Sequence, residues 1–341
     1  MKYFKADFIF TIIALGLAAL IGFYYQGTLL GAGEALVLAA ILGVLEISIS
    51  FDNAVVNAVV LKDMTPLWQK RFLTWGMVIA VFGMRLVFPL LIVAVVANLG
   101  PWEALRLAAL NPQDYAKIML SIHHEVSAFG GAFLMLVALK YFFDVEKENH
   151  WIHAIEAPLA KMGKLEAIEI GITLVFIYLL SRQLAEKETL PFIYAGIAGI
   201  LTFLAVDGIS VFLRVPANVN ANIHRASLGM FLYLEVLDAS FSFDGVVGAF
   251  AITNNLFIIA VGLGIGAMFV RSLTIMMVEK GTLQSFEFLE HGAFYAVASL
   301  AMIMFLNTVV EIPEVITGAI GAIFIGLSIY SSVKKRNHEK H

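Results

Sequence analysis

Long apolar runs separated by short polar clusters make up almost the whole of this 341-residue chain. A helix needs about 20 consecutive apolar residues to cross roughly 30 Å of hydrocarbon. Runs of that order lie near residues 8–25, 35–60, 72–98, 122–143, 166–184, 190–212, 228–252, 256–278, 289–308 and 314–331. The pattern predicts an all-α polytopic membrane protein of about ten transmembrane helices, forming one transmembrane domain over residues 1–341. An even number of spans puts both termini on one side. When the Lys and Arg residues between spans are assigned to alternate sides, sixteen fall on the side of the termini and four opposite. That asymmetry makes the termini cytoplasmic. The first run follows Lys2 and Lys5 without a small-residue cleavage site, so it reads as a retained span rather than a signal peptide. Two connections, 101–118 outside and 150–164 inside, carry apolar residues on one helical face and read as helices lying on the membrane surface.

Composition narrows the function. Apolar residues are 60% of the chain, charged residues 14%, and the mean hydropathy is +0.89, which excludes an ordinary soluble domain. A net charge of -4 offers no basic surface to nucleic acid. With no cysteine, any metal must be held by oxygen or imidazole, which favours hard cations. Nothing in the chain predicts catalysis or a resident cofactor.

The apolar pattern is broken at membrane depth by the stretch Glu46-Ile-Ser-Ile-Ser-Phe-Asp-Asn-Ala-Val-Val-Asn57. A charged group there costs on the order of 2.5–3.5 kcal/mol by insertion scales, so an intramembrane acid marks a functional site by default. The second half repeats the pattern: Asp238-Ala-Ser-Phe-Ser-Phe-Asp244 keeps the spacing of Glu46 to Asp52, with Ser-Phe-Asp identical 192 residues on. Two further matches keep the same order. Gly76, Ile79 and Arg85 recur as Gly262, Ile265 and Arg271, and Glu125, Ala128 and Phe129 recur as Glu290, Ala293 and Phe294. Spans 2, 3 and 4 thus map onto spans 7, 8 and 9, about residues 35–143 and 228–308. A shift of five spans inverts the copy in the membrane. Many secondary transporters are built on such inverted repeats, with the substrate site near the midplane at the repeat interface.

On a regular helix Glu46, Ser50, Asn53 and Asn57 share one stripe, as do Glu235, Asp238, Ser242 and Gly245. Asp52 and Asp244 fall off it, about 240° round from the first acid of each motif. Either each span is broken near Ser-Phe-Asp, or each aspartate points across to the opposite repeat; both arrangements bring acids together at the pseudo-twofold axis. Carboxylate, amide and hydroxyl oxygens suit Mg²⁺, Ca²⁺ or Mn²⁺ better than Zn²⁺ or Cu²⁺. The candidate metal ligands are Glu46, Ser50, Asp52, Asn53, Glu235, Asp238, Ser242 and Asp244. The bland alternative, hydrogen bonding between helices, suits Ser and Asn better than a duplicated carboxylate. Arg85 and Arg271 read either as members of structural ion pairs or as cations that hold the acids while the site is empty. Glu125 with His124, and Glu290 with His291, read as relays at opposite mouths or as solvated helix ends, and Asp207 is a further pathway candidate. His150, His153 and Glu156 have a spacing compatible with a surface metal, but a solvated interfacial face accounts for them more simply.

At these motifs the chain resembles the TerC family of bacterial membrane proteins, within the LysE-type exporter superfamily. Glu46-Ile-Ser-Ile-Ser-Phe-Asp-Asn53 is similar to that family's Glu-to-Ser-x-Asp-Asn signature, and Phe241-Ser-Phe-Asp244 and Phe129-Gly-Gly-Ala-Phe-Leu134 accompany it. The resemblance covers roughly residues 30–330, and the extra spans suggest a longer subgroup. It implies efflux of a divalent metal, chiefly manganese, with Glu46, Asp52, Asp238 and Asp244 as ligands, from a bacterial inner (plasma) membrane. Gly245 stands where that family more often has a polar residue. The expected function is a divalent cation exporter, Mn²⁺ foremost, working as a secondary transporter. No Gly-x-x-x-x-Gly-Lys-Ser/Thr nucleotide loop occurs, and buried carboxylates hold protons when empty and release them to a metal, so inward protons are the expected drive. The expected partners are the lipid bilayer, the metal ion and protons; no oligomeric state is assigned. Two rival readings are an exporter of an amino acid or other small anion using Arg85 and Arg271, and a membrane scaffold that transports nothing.

Overall fold

The computed structural model describes residues 3–147, 149–165, 167–214, 219–310 and 312–338. Within helices it leaves out the side chains of Leu73, Val211, Arg214, residues 219–226, Phe243, Asp244, Glu314, Val315 and His338. The described residues contain helices and no strand. α1 (Lys5–Gln26) and α2 (Leu29–Ile49) form a hairpin. Gly27 closes α1 at φ 66, and Thr28 caps α2 by accepting the Gly31 N–H at 3.0 Å, which satisfies the exposed backbone groups at a tight reversal. α3 (Phe51–Leu61) continues α2 after an interruption at Ser50. The next span, Pro66–Val96, starts as α4 (Pro66–Arg71), is π-helical over Phe72–Gly76 and Ile79–Val87, and finishes as α5 (Phe88–Val96). The short helices α6 (Pro101–Leu110) and α7 (Pro112–Ser121) precede α8 (His123–Phe142), α9 (His153–Met162), α10 (Ile168–Ser181), α11 (Glu186–Arg214) and α12 (Val219–Ala249). α13 (Leu256–Glu279), the single turn α14 (Thr282–Ser285), α15 (Leu289–Leu306) and α16 (Glu314–His338) complete the chain.

Eight of these helical segments are long and apolar enough to cross a membrane, with α3 and α10 apolar but shorter. α12 has the length to cross a membrane, 31 residues. Two expected spans take different bounds. The span expected at 35–60 begins at Leu29 and is split at Ser50. The span expected at 166–184 contains the 14-residue α10, apolar but shorter than the eight.

α8 and α13 lie innermost, while α1 and α16 turn most of their length outward. Apolar side chains such as Ile12, Leu20, Leu29 and Trp75 are exposed on the outer helices, the face that a lipid solvent covers. α8 is lined by Ala128, Gly130, Gly131, Ala132 and Ala138, all buried, and such small residues let neighbouring helix backbones approach closely in a membrane bundle.

Among the described residues, two large apolar clusters and two smaller ones fill the interior. The first takes Val55, Val56 and Leu61 of α3, much of α8 and α15, and Leu234, Leu237 and Phe241 of α12. The second takes Leu42 of α2, Val93 of α5, Tyr115 and Met119 of α7, Val246 and Phe250 of α12 and Leu256 and Leu263 of α13. Along α2 and α3 the order is second cluster, polar stretch, first cluster; along α12 it is first cluster, polar stretch, second cluster. The two acidic motifs therefore share a layer between the clusters and cross it in opposite directions.

Candidate functional site

The layer is built around Ser50, where φ -91 and ψ 20 end α2 and open α3. Helical hydrogen bonding survives on both sides: the Ser50 N–H donates to Glu46 O at 2.9 Å, and its carbonyl accepts from Ala54 at 3.2 Å. The interruption brings Asp52, expected off the stripe, to the same cavity as Glu46. That cavity, about 40 Å³, is lined by Glu46, Ser50, Asp52, Asn53, Gly245 and Thr317 among apolar neighbours that include Leu42, Phe241 and Leu263. Of the two arrangements open from the sequence, the break is found in the first motif only. α12 runs unbroken through Asp238 and Asp244 to Ala249, and the side chain of Asp244 lies outside the described residues.

Each arginine holds acids of its own half. Arg85, in the second π-helical stretch, places Nη2 2.5 Å from Glu46 Oε1 and donates from Nη1 to Ala80 O at 2.6 Å. Arg271 Nη2 stands 3.5 Å from Glu235 and 3.5 Å from Asp238, Nη1 donates to Phe72 O at 3.0 Å, and the guanidinium lies 4.2 Å from the centre of the Phe72 ring, a cation–π contact. Asn53 Nδ2 donates to Asp238 Oδ1 at 3.4 Å and so joins the halves. Asp52 accepts the Asn53 N–H at 2.9 Å and enters no ion pair among the described residues. Among the described side chains of the two motifs, four buried acids, Glu46, Asp52, Glu235 and Asp238, thus face two guanidinium groups, with Asp244 outside that count. With all ionised, two negative charges stay uncompensated.

The same stretches of α3 and α12 carry buried polar atoms with no hydrogen-bond partner among the described residues: Asn53 Oδ1, both amide atoms of Asn57, and Ser242 Oγ. Such atoms cost about 1–3 kcal/mol each when left unmade, and a row of them beside surplus carboxylates marks room for a polar guest. The donors are carboxylate, amide and hydroxyl oxygens, the chemistry of a hard cation. Among the described residues, which leave out the Asp244 side chain, no group of three or more His, Asp and Glu side chains is arranged to hold a metal ion. Two glycines make the layer possible. A Cβ on Gly266 would overlap Cβ and Cγ of Glu46, and a Cβ on Gly76 would overlap the Glu235 carboxylate and the Arg271 guanidinium.

Two contributors escaped the sequence reading. α16, outside both proposed repeats, lines the cavity with Thr317 and leaves Gly321 facing Asp52 Oδ2; the small residues Thr317, Gly318 and Gly321 in the last span were the available signal. Asp7 on α1 is buried and accepts from Ser272 Oγ at 3.0 Å, one residue from Arg271. A lone acid near a chain end gives little to read.

The pathway candidates do not line this cavity. His124 Nδ1 lies 3.4 Å from Glu188, Glu290 pairs with Lys62 at 3.4 Å, and Asp207 is held by Lys140. Glu125 borders a separate cavity of about 410 Å³. His291 is buried and turns away from Glu290 to Glu156, Nδ1 to Oε2 2.8 Å. Glu156 therefore corrects the solvated-face reading of α9: it is 1% exposed and also takes Lys147 Nζ at 3.0 Å and the N–H groups of Trp151 and Ile152 at 3.3 Å. His150 stands 3.9 Å from the same carboxylate. Burial opposes the Glu156 charge, but the hydrogen bonds from His291 and Lys147 outweigh it and hold the carboxyl at about 2, below its usual 4.5. Burial pushes the Lys147 ammonium below its usual value, against the pull of Glu156.

Helices long and apolar enough to cross a bilayer, closed round a buried layer of paired and surplus charge, define a polytopic α-helical membrane protein. Residues 51–340 match the family described as protein of unknown function DUF475, and the chain belongs to that family. The match takes in Asp52, both arginines and the whole second motif, and begins just after Glu46 and Ser50. No curated protein and no solved structure matches the chain.

Proposed function

We propose that this chain is a secondary transporter that exports a divalent metal cation, Mn²⁺ foremost, in exchange for inward protons. The observation that carries the reading is that, among the described side chains of the two motifs, buried carboxylates outnumber guanidinium groups by two, beside amide and hydroxyl oxygens without a partner among those residues. Uncompensated charges in a dry layer are costly, so the layer favours two states of equal charge, one divalent cation or two protons. The choice of manganese and of the bacterial inner membrane, with both termini cytoplasmic, comes from the resemblance to the TerC family and from the distribution of Lys and Arg. The opposite order in which α2–α3 and α12 traverse the two apolar clusters, and the pairing of each arginine with the first acid of its own motif, support an inverted repeat over about 35–143 and 228–308.

Energetics favour the exchange. Moving charge out of a negative-inside cell costs about 2.3 kcal/mol per elementary charge per 100 mV, whereas one divalent ion against two protons moves no net charge and avoids that cost. The anion-exporter reading is less favoured, since Nη2 of Arg85 and of Arg271 faces carboxylates and Nη1 of each donates to a backbone carbonyl. The test is purified protein in liposomes with radiolabelled Mn²⁺ and a pH indicator inside. Metal flux with counter-movement of two protons per ion, unresponsive to an imposed membrane potential, is expected. Flux without proton movement would remove the coupling, and no metal flux would return the chain to the scaffold reading.

A further inference from the structure

We propose that the cavity between α5, α8, α12 and α15 binds a hydrophobic monovalent cation, an amine, quaternary ammonium or phosphonium ion bearing aromatic or alkyl groups. The cavity measures about 410 Å³, within the range of roughly 300–1,000 Å³ typical of small-molecule sites. Its walls are apolar, with Phe88, Ile92, Phe129 and Met304 among them. Ring faces such as those of phenylalanine attract a cation that has shed its water.

Glu125 is the charged residue of the lining. It makes no hydrogen bond or ion pair among the described residues, and its neighbour His124 turns to Glu188 instead. The hydroxyl of Ser240, also in the lining, is spent within its own helix on Val236 O at 3.0 Å. A small metal ion needs several oxygen ligands, and one carboxylate in an apolar chamber of this size does not supply them. An anion meets the wrong charge. A lipid acyl chain fills the volume but leaves the carboxylate unpaired against hydrocarbon. A bulky, delocalised cation meets the ring faces, the volume and the charge together. The site is independent of the charged layer's cargo, although Ala239 in its wall follows Asp238 directly on α12.

The test uses the full chain in lipid nanodiscs, with empty nanodiscs as the baseline for partitioning. Tetraphenylphosphonium and tetraphenylborate have the same shape and opposite charge. The phosphonium should bind saturably at one per chain and the borate should not. Glu125→Gln should weaken phosphonium binding by about tenfold or more, the factor that 1.4 kcal/mol represents, and Val126→Trp should block it by filling the cavity. Ile92→Trp serves the same purpose if thermal melting shows that Val126→Trp has not folded. Equal binding of both ions, binding indifferent to Glu125→Gln, or partitioning no greater than in empty nanodiscs would overturn the proposal.

Discussion

The two acidic motifs share Ser-Phe-Asp, yet the backbone treats them differently. The first is interrupted at Ser50 and its arginine, carried on π-helix, holds one carboxylate. The second runs through an unbroken α12, and Arg271 serves two carboxylates, a backbone carbonyl and the Phe72 ring. Charge density explains the contrast. Glu235 and Asp238 lie three residues apart on one helix face, where like charges repel, so they need a shared, firmly held cation. Glu46 needs one ion pair, and Asp52 has none. The comparison gives Arg271 the duty of an anchor for two acids and leaves Asp52, in the first half, as the carboxylate without an ion pair among the described residues.

The sharpest way to break that contrast is to remove each arginine. Arg271→Met leaves two adjacent buried acids without a cation and should cost about 3–5 kcal/mol, the usual penalty for breaking a buried pair. Arg85→Met leaves one and should cost less. Denaturant unfolding of both variants in detergent measures the gap, and equal losses would end the distinction between the two arginines. Next in size is Asp52→Asn, which should weaken Mn²⁺ binding by about a hundredfold, or about 2.7 kcal/mol, with little loss of fold because an unpaired buried charge is relieved. Calorimetry with wild-type affinity in this variant would remove the first half from the site.

The halves also differ at their ends. His291, at the start of α15, is clamped by Glu156, whereas Glu125 at the corresponding turn of α8 borders an open cavity. Because the Glu156 carboxyl sits at about 2 against its usual 4.5, its charge contributes stability above pH 4.5 that is lost as the pH falls through about 2. Glu156→Gln should therefore be less stable than the parent by about 2 kcal/mol at neutral pH, the scale of hydrogen bonds to a charged group. The difference should close between pH 4.5 and 2. Thermal melts across that range that keep a constant gap would mean the clamp acts through packing alone. The smallest effect belongs to Lys62→Gln. It breaks a half-exposed pair with Glu290 and should cost about 0.2–1 kcal/mol at low salt. Unfolding curves repeated at high ionic strength should show that loss fade.

Much of this was legible in the sequence because polarity at membrane depth is expensive. Glu46, Asp52, Arg85 and Arg271 stood out against apolar runs, and the spans carrying them are helices. Partner choice was not legible. Which acid Arg271 reaches depends on the rotation of α13 against α12, and a 3.6-residue period gives that only modulo the neighbour's own rotation. Glu156 was misread for a related reason: beside two histidines its helix looks solvated, and its burial comes from docking on His291, 135 residues away. The π-helical winding of the third span has no composition of its own to betray it, and α16 reached the site through glycines rather than through any group with chemistry.

The steric fit of Glu46 against Gly266, and of Glu235 and Arg271 against Gly76, carries over to heredity. In a map of substitution tolerance taken over every position, Gly266 should be the less forgiving of the two, since it meets the stem of Glu46, while Gly76 meets the ends of two flexible side chains. A single methyl group at Gly266 lands on the stem of Glu46, and one at Gly76 lands between a carboxylate and its guanidinium. Two residues with no side chain thus hold a cast of the charged layer, and exchanging Glu46 for a smaller residue should relax the demand at Gly266.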